Sequence, residues 1–283
     1  MKSKRLQLAV FLACAATGQA FATPVFQLGA DNTLGFQSVG NKTGDDTIQA
    51  GDLIYGVINA QDVTTGSTLW NANNVASNPP IDSFSGYFLT RIDSITLIPG
   101  PEGLSARLRL GAAENDPNGV FTESDLSSGA MIKLFTDNAT GFTTGGPVAG
   151  DIANATDGTP WGTLGFTSPE NYWTVALTSL SPSGSSFGGL NFIENNSGLT
   201  WSKVLDTSCD TPGGCEVDMK FNATYAPRDA GGAWQVNFND PATLHPVPLP
   251  AAAWLFGSGM LALAGLPIRR KKQRLATAAA ALS

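Results

Sequence analysis

The stretch that decides the fold class covers residues 217–225 and reads VDMKFNATY. Every second position in it is apolar, so the extended chain presents one dry face and one wet face. The same period of two recurs in residues 104–110 and in residues 234–238. A period of two is typical of half-buried β-strands and does not fit an amphipathic helix. These stretches predict antiparallel β-structure.

Four further stretches are more continuously apolar, which predicts strands nearer the centre of a sheet. They are residues 53–58, 87–98, 131–135 and 172–177. Clusters of Gly, Asn, Asp, Ser, Thr and Pro separate the strands, and residues 137–158 look like one long loop. We therefore predict an antiparallel β-sandwich or jelly-roll-like ectodomain over residues 23–240.

The first 22 residues have the organisation of a secretory signal peptide. A basic start is followed by the uncharged apolar run 6–16, and Ala20 and Ala22 supply the small residues that signal peptidase reads. The sequence therefore predicts export, with signal peptidase as a partner and a mature chain that begins at Thr23.

The other end of the chain carries a second apolar run. Residues 251–268 contain no charge, and at about 1.5 Å of rise per residue a helix over them would span roughly 27 Å. Residues 269–283 form a basic tail that holds the cytoplasmic side. Its first positions are Arg269, Arg270, Lys271 and Lys272. This pattern predicts one C-terminal transmembrane helix.

A short motif stands between the predicted ectodomain and this helix, in the segment 241–250. It consists of Val247, Pro248, Leu249 and Pro250. The two prolines favour an extended backbone, which suits a segment that an enzyme grips as a strand. Motif, helix and basic cluster together resemble the PEP-CTERM sorting signal of the VPLPA type, although its commonest version has Glu at the second position and ends sooner after the basic cluster.

The resemblance implies a route and a set of partners. In that family the tail is read by an exosortase, a membrane-embedded cysteine transpeptidase of Gram-negative bacteria that make exopolysaccharide. For this chain it implies an inner-membrane intermediate, then the cell surface or the extracellular matrix, with exopolysaccharide or another surface component as a partner. The expected function is that of a structural or adhesive surface protein.

The charge of the segment between the two signals excludes one class of partner. Residues 23–250 carry all 23 acidic residues and eight of the 16 basic ones, which gives a net charge of −15. Such a segment repels phosphate backbones and anionic lipid surfaces. We expect no nucleic-acid binding.

Two cysteines remain after removal of the signal peptide. Cys209 and Cys215 flank a Pro-Gly-Gly turn, and an exported chain meets an oxidising compartment. We predict a disulfide that closes this small loop.

Residues 114–125 have a spacing close to that of an EF-hand calcium loop. A glycine stands at the sixth position, and oxygen side chains stand at five of the ligand positions. These residues are Glu114, Asp116, Asn118, Thr122 and Asp125. Calcium is therefore a candidate cofactor. The alternative is a solvated acidic loop, because the preceding segment 104–110 is a predicted strand where the motif requires a helix.

Catalysis finds little support in the sequence. The only histidine, His245, lies in the predicted linker, which argues against a Ser-His-Asp triad or a histidine metal site. We predict no enzyme, and a secreted glycoside-active enzyme is the least favoured alternative. A carbohydrate-binding module is another alternative, since Trp70 and Trp161 occur in loop-like contexts where exposed indoles stack on sugars, unless they are buried in the core.

Overall fold

The computed structural model describes residues 26–27, 29–45, 47–72, 83–100, 103–137, 142, 144–168, 171–177, 183–196, 207–208, 216–228 and 232–245. The predicted signal peptide, sorting motif, transmembrane helix and basic tail lie outside these ranges, as do Cys209 and Cys215.

Strands dominate the described part of the chain. They are β1 (Asn32–Lys42), β2 (Leu53–Thr64), β3 (Thr68–Asn71), β4 (Ser83–Gly100), β5 (Gly103–Gly111), β6 (Ala130–Asp137), β7 (Thr159–Gly165), β8 (Tyr172–Leu177), β9 (Gly184–Asn195), β10 (Thr207–Ser208), β11 (Glu216–Val217), β12 (Met219–Pro227) and β13 (Val236–Leu244). Two short helices accompany them, α1 (Glu123–Ser127) and α2 (Val148–Thr156).

Eight of the strands close into an antiparallel barrel. Around the barrel they follow the order β1, β2, β4, β6, β7, β9, β12 and β13, and β13 pairs with β1 again. The predicted antiparallel β class is confirmed. The predicted sandwich or jelly roll would have kept two open sheets, whereas this sheet closes on itself, which pairs the edges that open sheets leave exposed.

Two long strands change partners and thereby split one wall of the barrel. The first part of β4 pairs with β6, and from Arg91 onward β4 pairs with β5. In the same way β9 pairs first with β8 and then, from Asn191, with β7. Since β5 also pairs with β8, the wall between β4 and β9 consists of β6 and β7 at one end and of β5 and β8 at the other.

An outer layer covers part of the barrel and buries the outer face of the first part of β4. Tyr87 and Leu89 on β4 belong to a buried cluster with Phe121, Ile152 and Trp234, which come from the loop before α1, from α2 and from the segment before β13. The first part of β4 is therefore buried on both faces, but from Asp93 onward β4 is mainly exposed, and β8 is only partly buried, so the predicted central position fails for residues 93–98 and for β8. The helix α2 falls inside the predicted loop 137–158, and its nine residues, with Gly150 among them, give only a weak helical period.

The last strand corrects the predicted domain boundary. Residues 241–244 were predicted to be linker, but β13 continues through them to Leu244, which pairs with Asn32 at the start of β1. The following His245 contacts Asp31 with 2.7 Å between Nδ1 and Oδ1. Both ends of the described barrel, near residues 31 and 245, therefore emerge at the same end.

Within the described ranges, no helix combines the length and the apolar character needed to span a membrane. The predicted transmembrane segment, residues 251–268, lies outside the described ranges.

Candidate functional site

The interior of the barrel is solid at one end. Near β6 and β7 it is filled by a cluster of large side chains, among them Phe36, Phe84, Trp161, Leu164 and Leu190. Phe84 and Trp161 meet edge to face, with their ring centroids 4.9 Å apart. These contacts fill this half of the barrel with closely packed side chains.

The other half of the barrel, bounded by β5 and β8, is hollow. It contains a cavity of about 390 Å³ whose wall is mainly apolar. Representative lining residues are Phe88, Ile92, Leu108, Trp173, Val175 and Phe238. A partly open concave space of this size with few polar groups is the usual form of a small-molecule site.

Glycines on the inner face make room for aromatic rings against the wall. A Cβ added to Gly188 would come within 2.9 Å of the Trp173 ring on the neighbouring strand. A Cβ added to Gly56 would lie 2.7 Å from the Phe88 ring and 2.0 Å from the Val39 carbonyl oxygen. Because the rings lie over glycines, they stay close to the wall instead of filling the centre of the barrel.

The cavity opens at the end that carries the turn between β1 and β2, residues 43–52. Lys42 at the base of this turn donates to Oδ2 of Asp52 at 3.0 Å and to the carbonyl oxygens of Thr43 and Asp45 at 2.6 Å. This contact set holds the turn in place. Ile48 on the same turn lines the cavity and is 38 % exposed, so an apolar side chain borders the opening.

The hairpin of β4 and β5 extends past this mouth. Its ladder with β8 ends where Ala106 pairs with Leu177, and the residues beyond that rung project from the barrel. Leu97, Ile98 and Leu104 in this part are exposed, with 56 % of the Leu97 surface accessible. The end of the barrel that gives access to the cavity therefore exposes several apolar side chains to solvent.

One carboxyl group faces the cavity from deep inside the barrel. Asp240 on β13 lines the cavity, and its Oδ1 is buried without a hydrogen-bond partner among the described residues. Burial raises the pKa of Asp240 to about 7, and the nearby Ser38 hydroxyl offsets only part of this rise. The Ser38 Oγ is likewise buried and has no hydrogen bond of good geometry within the described structure.

Other buried hydroxyl groups around the cavity already have partners. Thr90 donates to the carbonyl oxygen of Gly111 at 2.8 Å, and Tyr225 donates to that of Ala176 at 3.0 Å. Ser38 Oγ and Asp240 Oδ1 differ from these two hydroxyl groups, and both lie where β1 meets β13.

Sequence reasoning missed Asp240, although a signal was present. Val236, Phe238, Ala242 and Leu244 continue the alternation begun before β13, and Asp240 falls on their apolar face. Burying a single carboxylate on the apolar face of a strand costs free energy, which marks such a residue as a candidate for a functional role.

The residues predicted as calcium ligands are held by separate protein partners. Asp116 accepts the backbone N–H groups of Asn118, Val120 and Phe121 at 2.8–2.9 Å, and it also accepts the hydroxyl of Tyr87. These are the contacts that shape the loop before α1.

The second group of predicted ligands belongs to the start of α1. Thr122 is the N-cap and exchanges hydrogen bonds with Asp125, whose Oδ2 also lies 3.0 Å from Nζ of Lys133. The remaining acid, Glu114, pairs with Arg91. The Asn118 amide donates to the Tyr87 hydroxyl. Among the described residues, no three His, Cys, Asp or Glu side chains form a group suited to a metal ion.

The tryptophans proposed as sugar platforms are buried. Trp70 is 8 % exposed and Trp161 is 3 % exposed, and both pack against Phe84. Of the two interpretations offered by the sequence, burial in the core is confirmed and sugar stacking from exposed loops is not, because both indoles complete the solid half of the core. The predicted sorting motif, basic stop and cysteines lie outside the described ranges, although Ser208, which directly precedes Cys209, pairs with Glu216, which directly follows Cys215. The predicted disulfide stays a prediction.

Comparison with protein-family models gives no match for this chain, and neither do comparisons with curated proteins and with solved structures.

Proposed function

We propose that this chain is a binding protein for a small apolar ligand, which is held in the hollow half of the barrel. The observation that supports this most directly is the cavity of about 390 Å³ in the half of the barrel bounded by β5 and β8. An apolar cavity of this kind costs stability, because its lining side chains lose contacts that a filled core would give them. A ligand that fills it recovers those contacts.

The volume bounds the size of the ligand. Since one water takes about 30 Å³ of liquid volume, the cavity is the equivalent of about thirteen waters. The expected ligand is therefore a small molecule of about ten to fifteen non-hydrogen atoms, whereas a polysaccharide chain would be too large and too polar.

The delivery of this barrel to the cell surface is part of the same proposal. The terminal signals favour export, retention in the inner membrane and processing by an exosortase near Val247–Pro250. The described barrel ends at residue 245 on the side opposite the cavity mouth. A barrel attached through its C-terminal side would therefore turn its mouth away from the attachment point, where a ligand from the medium can enter.

A structural or adhesive role in an exopolysaccharide matrix is the second candidate. It rests on the resemblance of the tail to PEP-CTERM signals and on the acidic charge of residues 23–250. A purely structural barrel has no need for an internal cavity, so the cavity favours binding over scaffolding.

Two substitutions to phenylalanine at neighbouring positions test the binding proposal. Val175 on β8 faces the cavity, whereas Thr174 faces outward beside the exposed ring of Phe187. Val175→Phe would fill part of the cavity, and Thr174→Phe adds the same ring outside the barrel, where a cross-strand aromatic pair is tolerated. The two variants thus differ only in the face that receives the ring.

The probes are n-octylamine, 1-octanol and octanoate, titrated calorimetrically into the full-length chain in nanodiscs of zwitterionic lipid, with empty nanodiscs as reference. We expect at least one probe to bind, with an affinity at least tenfold weaker in Val175→Phe and within twofold of the original in Thr174→Phe. If no probe binds, or if both variants bind as the original chain does, the cavity is not a ligand site.

A further inference from the structure

The polar corner of the cavity lies on two neighbouring strands. Phe36 on β1 pairs with Asp240 on β13, and Ser38 is the next inward residue of β1, so Ser38 and Asp240 are diagonal neighbours on the inner face. Ser38 is 2 % exposed, whereas Asp240 is half-buried and lines the cavity. The carboxyl group of Asp240 therefore reaches one corner of an apolar space, with the Ser38 hydroxyl beside it.

Among the described residues, no cation lies beside this carboxyl group in the interior of the cavity. Of the described residues that line the cavity, the charged ones are Lys42, Asp45 and Asp240. Lys42 stands at the mouth, where its ammonium group is already bound by Asp52 and two carbonyl oxygens. A ligand with a carboxylate would therefore meet an acid and no free cation in this part of the barrel.

A hydrogen-bond donor on the ligand would complete the corner, and the number of donors distinguishes the possibilities. An alcohol has one donor and can satisfy one of the two oxygens. An ammonium group has three donors and a positive charge, so it can satisfy Asp240 Oδ1 and Ser38 Oγ together and also neutralise the carboxylate. The net charge of −15 over residues 23–250 attracts cations to the protein as a whole.

We propose that the barrel cavity selects small apolar amines, whose ammonium group is held by Asp240 and Ser38 and whose hydrocarbon part fills the apolar space toward Leu108 and Val175. This inference rests on the proposed function and names the ligand class for the same cavity.

The three octyl probes test the selection, because they share a chain and differ only in the polar end. At pH 8, where Asp240 is mainly ionised, n-octylamine should bind at least tenfold more tightly than 1-octanol and at least a hundredfold more tightly than octanoate. The preparation is the full-length chain in zwitterionic nanodiscs, again with empty nanodiscs as reference.

Two variants connect the preference to the polar corner. Asp240→Asn keeps the shape of the side chain and removes its charge, so it should weaken n-octylamine at least tenfold and leave 1-octanol within threefold. Ser38→Ala should weaken n-octylamine by about threefold to tenfold through the loss of one acceptor. Glu194→Gln, which removes the same charge from an exposed position of β9, should change neither affinity by more than twofold.

The outcomes separate this inference from the proposed function. Equal binding of octylamine and octanol, blocked in both cases by Val175→Phe, would retain the cavity as a ligand site and overturn the amine selection. Tighter octylamine binding that persists in Asp240→Asn would also overturn it, because the preference would then come from the outer surface charge. Absence of binding for all three probes would overturn both proposals.

Discussion

Replacing Asp240 with asparagine should remove a pH-dependent part of the stability of this protein. Asp240 is enclosed in the barrel, and its pKa in the folded chain is about 7 against a reference value of 3.8. An acid whose pKa is raised by folding favours the folded state in its protonated form. Its contribution is fully present below about pH 4 and is lost as the pH rises to about 7.

The size of the effect follows from the shift. A difference of about three pKa units corresponds to about 4 kcal/mol between pH 4 and pH 8, at about 1.4 kcal/mol for each unit. The carboxyl group keeps some contact with the cavity, where water would partly solvate its charge, so we expect about 2–3 kcal/mol. Asp218, whose pKa is raised to about 6 by burial, acts in the same direction but is common to both proteins and cancels in the comparison.

The assay is urea denaturation followed by tryptophan fluorescence at pH 4 to 8, for the original chain, Asp240→Asn and the control Glu194→Gln. The free energy of unfolding of the original chain should fall by about 2–3 kcal/mol relative to Asp240→Asn as the pH rises. Between pH 4 and pH 8 the variant should therefore lose less of its unfolding free energy than the original chain does. If the difference in unfolding free energy between the two proteins did not change with pH, the claim that burial raises the pKa of Asp240 would be refuted.

Two other contacts and the predicted sorting motif lead to further expectations. Asp116→Ala removes the acceptor of three backbone N–H groups and should lower the unfolding free energy by about 2–3 kcal/mol, equally with and without millimolar calcium in urea titrations; a loss seen only with calcium would instead support the predicted metal loop. Asp151 accepts the Nε1–H of Trp234 at 2.7 Å, so Asp151→Ala should cost about 3 kcal/mol and Asp151→Asn clearly less, and equal costs would argue against this bond. Replacing Pro248 and Pro250 with alanine should leave a full-length chain in the membrane fraction when intact masses are measured, whereas normal maturation would contradict the sorting motif.

The strands could be predicted because their signal is local. In β12 the burial of Met219, Phe221, Ala223 and Tyr225 alternates with the exposure of their neighbours, as the period of two indicates. In β4 both faces are buried from Ser83 to Ile92, whereas the residues from Asp93 onward are mainly exposed although residues 87–98 are predicted as one central strand. Side chains of successive residues point to opposite faces of a strand, so this information is contained in a few neighbouring positions.

The candidate site could be predicted much less well. The calcium spacing in residues 114–125 is matched in sequence, but the side chains turn to different partners, since backbone N–H groups satisfy Asp116 and Lys133 reaches Asp125. Trp161 looked loop-like because Pro160 and Gly162 flank it, yet it lies in β7 and is 3 % exposed. Composition around a residue does not tell which distant strand covers it.

The sequence by itself determined the strand content, the acidic charge of residues 23–250 and the terminal patterns that predict export and sorting, because each of these depends on neighbouring residues only. Tertiary structure alone decided that the sheet closes, that one half of the barrel is solid and the other hollow, and that the Asp240 carboxyl group lines the cavity. Closure depends on pairings such as that of β1 with β13, about two hundred residues apart in the chain. Pairing over such distances is set by the packing of the whole barrel, and no local pattern encodes it.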